Sequence, residues 1–386
     1  GIDVTVIQKG DHLLNTVDSD IASFIHTNLR SKGIDILLNS NVKSIENNLV
    51  VTDCQEIPAD MVIVSVGVSP ENTLAKDAGL ALGVKGAIAV SDNMQTSDKD
   101  IYAVGDAVEV ENFISKDKAV ITLAGPANKQ GRIAADNICG INSTYKGTQG
   151  ASVIKLFDMT VASTGMTETQ LKLSNIAYEK VILSPLSHAG YYPGATVMTL
   201  KVIFEKETYK ILGAQAVGYE GVEKRIDVIA TAIFAGLTAD KLKDLELSYA
   251  PPYSSAKDPV NMAGFIIENM KNGIVGQFYY EDIPLLQKRD DVTLLDTRTV
   301  YEYMRGHAEG FINIPVDELR ERLTELDKSK PVYVMCQSGF RSYLATRILM
   351  QNGFDAYNFA GGYRLYGTMY YDEVVSKNAY DCGMEK

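Results

Sequence analysis

The chain has 386 residues, 46% apolar and 22% charged, the make-up of ordinary globular material and, at about 150 residues per domain, of two to three domains. With 37 basic against 49 acidic residues the net charge is −12, which argues against a nucleic-acid partner and against attraction to anionic lipid. No apolar run nears the roughly 18 residues of a membrane helix and no secretory signal opens the chain, while four scattered cysteines and four scattered histidines offer neither a disulfide framework nor a metal site, so a cytoplasmic protein with free thiols is expected.

Residues 2–7 read as a buried strand, 18–32 as a helix and 34–38 as a second strand. Short strands follow at 42–45 and 49–52, then a strongly apolar one at 61–66. Strand, helix, strand, small antiparallel pair, strand is half of a doubly wound dinucleotide-binding unit. No GxGxxG stands anywhere to form the phosphate turn. Residues 1–68 therefore predict the C-terminal part of an NAD(P)-binding domain, in a chain that lacks upstream sequence. Gln8 and Lys9 stand where NAD-preferring domains place an acid, which leans slightly towards NADPH.

Residues 69–149 carry the next signal. A short apolar strand from Ile101 ends in Gly105 and Asp106, and a helix opens after Leu123 with Gly125, Pro126, Ala127 and Asn128 in its first turns. A carboxylate at a strand end can accept hydrogen bonds from a polyol, and Gly105 allows close backbone approach. The free N–H groups of a helix start favour an electron-rich ligand edge. The Gly-Asp pair alone would be a plain strand end. The longer pattern from Thr96 to Ala107 resembles the second flavin-binding motif of the pyridine-nucleotide disulfide oxidoreductases. That resemblance covers residues 1 to about 272. It implies that residues 69–149 are the C-terminal part of an FAD-binding domain. Thr96, Gly105, Asp106, Gly125, Pro126 and Ala127 would then line the cofactor, with Asp106 on the ribityl chain.

Residues 150–272 are strand-rich, with strands at 152–157, 177–183, 198–204 and 211–217 and a helix at 221–235. By the same resemblance this is the α+β dimerisation domain. Two motifs, Ser187 to Ala195 and Tyr249 to Met262, look like those of the coenzyme A-disulfide reductase branch. The His-Glu relay usual in the larger family is missing here. A phenol can replace it, since a group with a pKa of roughly 10 can donate a proton to a leaving thiolate without ionising at neutral pH. The resemblance implies a homodimer in which Tyr192 and Tyr253 reach into the partner's active site, with Tyr191 competing for the role of Tyr192. It places Asn128 and Asn261 near flavin and substrate.

Residues 273–290 read as a polar linker. A strand at 291–296, a helix at 316–326 and an apolar strand at 332–335 lead to Cys336, whose loop runs through Arg341 and Ser342 into a helix at 343–352 and a last strand at 356–359. A thiol at a strand end, with its loop wrapping onto a helix N-terminus, sits among converging N–H groups that stabilise a thiolate or persulfide anion. Arg341 adds positive charge. Four residues separate Cys336 from Arg341, one fewer than a phosphate-ester cradle needs. Residues 275 to about 371 resemble a rhodanese domain, assigned to 275–386. Asp296, Arg298, Glu302 and His307 read as scaffold for the loop, and Cys54, Cys139 and Cys382 as structural or incidental.

The expected fold class is α/β: partial doubly wound FAD- and NAD(P)-binding domains, an α+β dimerisation domain and a C-terminal α/β rhodanese domain. The resemblance implies FAD, NAD(P)H and coenzyme A as cofactors or ligands. It also implies a redox cysteine upstream, reduction of a CoA-containing disulfide, persulfide or polysulfide, and sulfane sulfur carried on Cys336. The chain by itself is expected to show no reductase turnover. Two alternatives stand beside this: an oxidase or peroxidase flavoprotein, against which a fused sulfur carrier argues, and a sulfur-delivery module on an inactive flavoprotein scaffold.

Overall fold

The computed structural model describes residues 1–371, so Cys382 and the end of the segment assigned to 275–386 lie outside the described residues. β1 (Val4–Ile7) and β2 (Ile34–Leu37) pair in parallel across α1 (Ser19–Ser31). β3 (Val42–Glu46), β4 (Leu49–Thr52) and β5 (Glu56–Pro58) form an antiparallel meander. The strand expected at 61–66 does not form. No neighbour pairs with it, and an isolated strand leaves its own backbone groups unmet, so Met61, Ile63 and Val66 are exposed. α2 (Thr73–Asp77), the short pair β6 (Val110–Glu111) and β7 (Lys118–Ala119), and α3 (Ala124–Ile138) follow. They surround a small core of Val90, Met94, Val108, Val110 and Ala134.

The largest core lies on a five-stranded antiparallel sheet. β8 (Ser152–Leu156), β9 (Met159–Gly165), β10 (Tyr178–Leu183), β11 (Thr199–Glu205) and β12 (Ile211–Gly218) run in the order β10-β11-β12-β9-β8. Alternate residues face opposite sides of a strand. Val181, Leu200, Val202 and Ala214 pack beneath α5 (Val222–Phe234) and α6 (Pro259–Lys271). Val161, Ile182 and Val217 meet α1 on the other face.

A second five-stranded sheet, all parallel, has the order β13-β17-β16-β14-β15. Its strands are β13 (Gly276–Phe278), β14 (Thr293–Asp296), β15 (Ile312–Asn313), β16 (Val332–Met335) and β17 (Ala356–Phe359). β13 and α7 (Ile283–Leu286) occupy the stretch expected to be a linker. Phe278 and Ile283 are buried, and that burial fixes the segment in the sheet. The helix expected at 316–326 is absent. Turns and a short 3-10 segment take its place, stapled by Arg322 to Glu318 at 2.9 Å and to Glu325 at 2.7 Å. α8 (Val300–Met304), α9 (Phe340–Gln351) and α10 (Gly362–Met369) complete this part.

The two sheets share contacts through α1. Its Ile21, Phe24, Ile25 and Leu29 lie in one cluster with Ala360 and Leu365. Ser23 Oγ donates to Thr368 Oγ1 at 2.8 Å, and Tyr279 OH donates to the Lys180 carbonyl at 2.8 Å. On the far side, Asn269 of α6 donates to Tyr343 OH of α9 at 3.1 Å.

At this junction lies a buried charge cluster. Lys201 Nζ donates to Asp18 Oδ2 at 2.9 Å, to Asp20 Oδ2 at 2.7 Å, and to Glu168, the first residue of α4 (Glu168–Leu173). Lys180 joins Glu168 and Glu281, each at 2.9 Å. Burial pushes the Glu168 carboxyl up, but Lys201 and Lys180 outweigh it and hold it at about 2.

His26 of α1 accepts from the Leu13 N–H at 3.1 Å. Burial, reinforced by Arg30, holds its ring down at about 4. Folding therefore keeps His26 neutral, whereas an unfolded ring takes a proton below 6.5. The stability present above 6.5 should be lost as pH falls towards 4. Urea unfolding at pH 7 and pH 4.5 should differ by about 2 kcal/mol more in the native chain than in His26→Gln. An identical difference in the two would remove His26 as the cause.

Candidate functional site

The thiol of Cys336 follows β16 directly and is fully buried. Gly339 takes φ +95°, a left-handed conformation that turns the loop and points its N–H back at the sulfur. Cys336 Sγ accepts from Gly339 N–H and from Ser342 Oγ, both at 3.2 Å. A second loop braces the first. Tyr363 N–H donates to the Cys336 carbonyl at 2.7 Å and Arg364 N–H to the Gln337 carbonyl at 3.0 Å. A Cβ at Gly362 would lie 2.7 Å from Ser338 N, so only glycine lets α10 start this close. Such a cradle donates two hydrogen bonds to the sulfur and can hold a thiolate.

Arg341 has a different setting from the one expected. Its Nη1 and Nη2 both donate to the Glu302 carboxylate, at 2.7 Å each, instead of to the sulfur. Glu302 sits in the capping box of α8, and Arg341 is the main cause holding its carboxyl at about 2. Asp296 and Arg298 form a buried pair at 2.7 Å, with the guanidinium 3.7 Å from the centre of the Tyr363 ring. His307 stacks on Tyr303 with ring centres 4.0 Å apart. Each of these residues is thus held by an ion pair or a ring contact with a neighbour.

The two tyrosine-bearing loops meet around Arg225 of α5. Its guanidinium, 1% exposed, donates to Asp258 Oδ2 at 2.9 Å, to the Ser187 carbonyl at 2.9 Å and to Ser254 Oγ at 3.2 Å. Asp258 also caps α6 through Val260 N–H at 3.0 Å. One buried arginine thereby fixes residues 187, 254 and 258 together. The hydroxyls brought into contact are those of Tyr191 and Tyr249, 2.7 Å apart. Tyr192 instead lies edge-on to His188 with ring centres 5.8 Å apart. Tyr253 is 71% exposed and its hydroxyl has no partner among the described residues. Tyr249 stands ahead of the Pro251-Pro252 pair, and no local pattern distinguishes it from the chain's other tyrosines. The bond to Tyr191 raises the Tyr249 phenol further above its ordinary value.

In the third region, Gly105 has φ +83°, and its N–H donates to Gln130 Oε1 of α3 at 2.7 Å. Asp106 follows in an exposed turn, its carboxylate free of ion pairs and hydrogen bonds among the described residues. Gly125, Pro126 and Ala127 form the first turn of α3, which has no side-chain cap and no acidic residue, and Asn128 is exposed beside them. The Thr96 hydroxyl differs from expectation. It is used within its own turn, donating to the Ile101 carbonyl at 3.0 Å. Asn261 likewise is buried and donates to the Leu242 and Leu245 carbonyls at 3.0 and 2.9 Å, which makes it a brace for residues 242–245.

Residues 1–131 match the family description pyridine nucleotide-disulphide oxidoreductase, residues 151–259 its dimerisation domain, and residues 281–368 a rhodanese-like domain. The coenzyme A disulfide reductase of Staphylococcus haemolyticus is 36% identical over 268 residues, 69% of this chain and 60% of that protein. The chain thus spans about 60% of the length of the curated relatives it matches. The crystal structure of reduced Bacillus anthracis CoADR-RHD superposes with a TM-score of 0.93 at 46% identity, over 97% of this chain and 68% of that one. The NAD-dependent persulfide reductase from A. fulgidus gives a TM-score of 0.88 at 38% identity, over 95% and 67%. Among the described residues no helix is long and apolar enough to cross a membrane.

Proposed function

Because the chain belongs to the pyridine nucleotide-disulphide oxidoreductase family and carries a rhodanese-like domain on the same polypeptide, we propose that it acts in the flavin- and NAD(P)H-dependent reduction of a coenzyme A-containing disulfide, persulfide or polysulfide, with sulfane sulfur carried on Cys336. The observation that carries the reading is the closed Cys336 cradle, a sulfur-holding loop for which an oxidase acting on oxygen has no use. The free, unpaired Cys54 and Cys139 suit a cytoplasmic setting.

The residues present fit a flavin. Asp106 offers an uncommitted carboxylate for a polyol, Gly105 allows close approach, and the uncapped start of α3 offers the N–H groups of Ala124 and Gly125, since Pro126 has none and that of Ala127 meets the Leu123 carbonyl. Bound there, a flavin supplies electron-pair exchange between a nicotinamide and a thiol–disulfide couple. The boundaries proposed at 68, 149 and 272 separate this region from the tyrosine loops and the sulfur cradle.

The phenol pair supplies the proton. Tyr249 stays protonated at neutral pH and can give its proton to a departing thiolate, which leaves as a thiol. Tyr191, 2.7 Å away, then donates to the phenolate that remains. Tyr191 is 77% exposed, which leaves the pair open to a second subunit. This supports a homodimer in which the pair serves the partner's site.

In the whole flavin-loaded protein, with the redox cysteine that the family resemblance implies, Tyr191→Phe and Tyr249→Phe should each lower kcat for CoA disulfide by about 10²-fold, the usual worth of a positioned acid. Sulfur transfer by Cys336 should be untouched. Undiminished reduction in the double variant would remove the pair, and NAD(P)H oxidation that depends on oxygen and ignores the disulfide would favour the oxidase reading.

A further inference from the structure

Two arginines beside the Cys336 loop are already paired. Arg298 is neutralised by Asp296 in a buried pair, and Arg341 by Glu302 through two parallel hydrogen bonds. Glu302 is itself held in place. Its Oε2 accepts from the Thr299 N–H at 3.0 Å and from Thr299 Oγ1 at 2.9 Å, so the carboxylate is built into the end of α8. Arg341 is near enough for the Cys336 charge to act on it, though less than Glu302 does. The side chains beside this ion pair are apolar and exposed: Val300, Tyr301 and Met304 on α8, Phe340 and Leu344 on α9.

A dianion approaching such a mouth gives up hydration and finds Arg341 already paired with Glu302. A donor with little charge at its sulfur end loses nothing of the kind and gains apolar contact. We propose that Glu302 is a specificity-determining residue: by neutralising Arg341 it directs the Cys336 loop towards sulfane donors of low charge, such as the uncharged thiol arm of a larger molecule, and away from dianions such as thiosulfate. The proposal rests on the reading that Cys336 carries sulfane sulfur.

The transfer step balances without an added oxidant. The Cys336 thiolate attacks the outer sulfur of the donor, the Sγ–S bond forms and the donor S–S or S–SO3 bond breaks. The thiolate or sulfite then departs with the electron pair. Cyanide removes the sulfur as thiocyanate and restores the thiolate.

Two donors that differ by one charge isolate the effect: thiosulfate, a dianion, and methanethiosulfonate, a monoanion that leaves as sulfinate. Glu302→Gln keeps the capping box, since glutamine also serves at that position, and deletes only the charge. In the full chain it should raise kcat/KM about tenfold for thiosulfate and about threefold for methanethiosulfonate, and the gain should fade as salt rises. A donor ratio that stays where it was would overturn the proposal. A Cys336→Ser chain that still forms thiocyanate would instead overturn the sulfur-carrier reading beneath it.

Discussion

Replacing Cys336 by serine should abolish sulfurtransferase activity, a loss of about 10³-fold or more, because an alkoxide cannot take and return a sulfane sulfur. Serine fits the fully buried position, and its hydroxyl can accept from the same Gly339 N–H that now meets Sγ. The fold should therefore survive, and thermal unfolding should match the parent within about 1 kcal/mol. The direct check is mass spectrometry after incubation with a sulfane donor. The parent chain should gain one sulfur atom at Cys336 and the variant none. Labelling of the exposed Cys54 or Cys139 at an equal level would show that the cradle confers nothing.

The largest loss of stability is expected from Lys201→Met. Lys201 has no solvent exposure and holds Asp18, Asp20 and Glu168 together. Burial disfavours its charge, yet Asp20, Asp18 and Glu168 outweigh burial and keep it an ammonium. Removing it leaves Asp18 and Asp20 without a cation in a dry interior and Glu168 with Lys180 alone, at a cost of about 3–5 kcal/mol. The pH response gives a second readout. Glu168 is held at about 2 against an ordinary 4.5, so it contributes stability above pH 4.5 that drains away as pH falls towards 2. Without Lys201 that carboxyl rises, and acid unfolding should begin at a higher pH. Adding Asp20→Asn to Lys201→Met should recover stability, whereas the same change in the parent should cost it. Losses that simply add would mean that the cluster contributes no coupling.

Much of the architecture could be read from the chain. Four strands of the antiparallel sheet, β14, β16 and β17 of the parallel one, α3 and α5, and the Cys336 loop follow from short-range pattern, while β9, β13 and β15 do not. Long-range pairing did not. Nothing local shows that Glu302 neutralises an arginine 39 residues away, or that Tyr191 and Tyr249 meet across 58 residues. Arg225 is one cation among 37 until the fold closes over it. The apolar run 61–68 carries every mark of a strand, but a strand exists only with a neighbour to pair with. Residues 316–326 have helical charge spacing, and Arg322 uses it to staple turns instead. Thr96 and Asn261 looked like ligand contacts because polar side chains that serve ligands and those that brace loops are the same types.

The shared packing of α1 and α10, with the ties at Tyr279 and Tyr343, gives Cys336 a fixed address relative to the tyrosine loops. These ties lie on several faces, so no single hinge could release the domain while leaving the rest seated. Under the function proposed above, sulfur collected at Cys336 departs on a passenger that comes and goes, with the chain the dock in that traffic rather than the ferry.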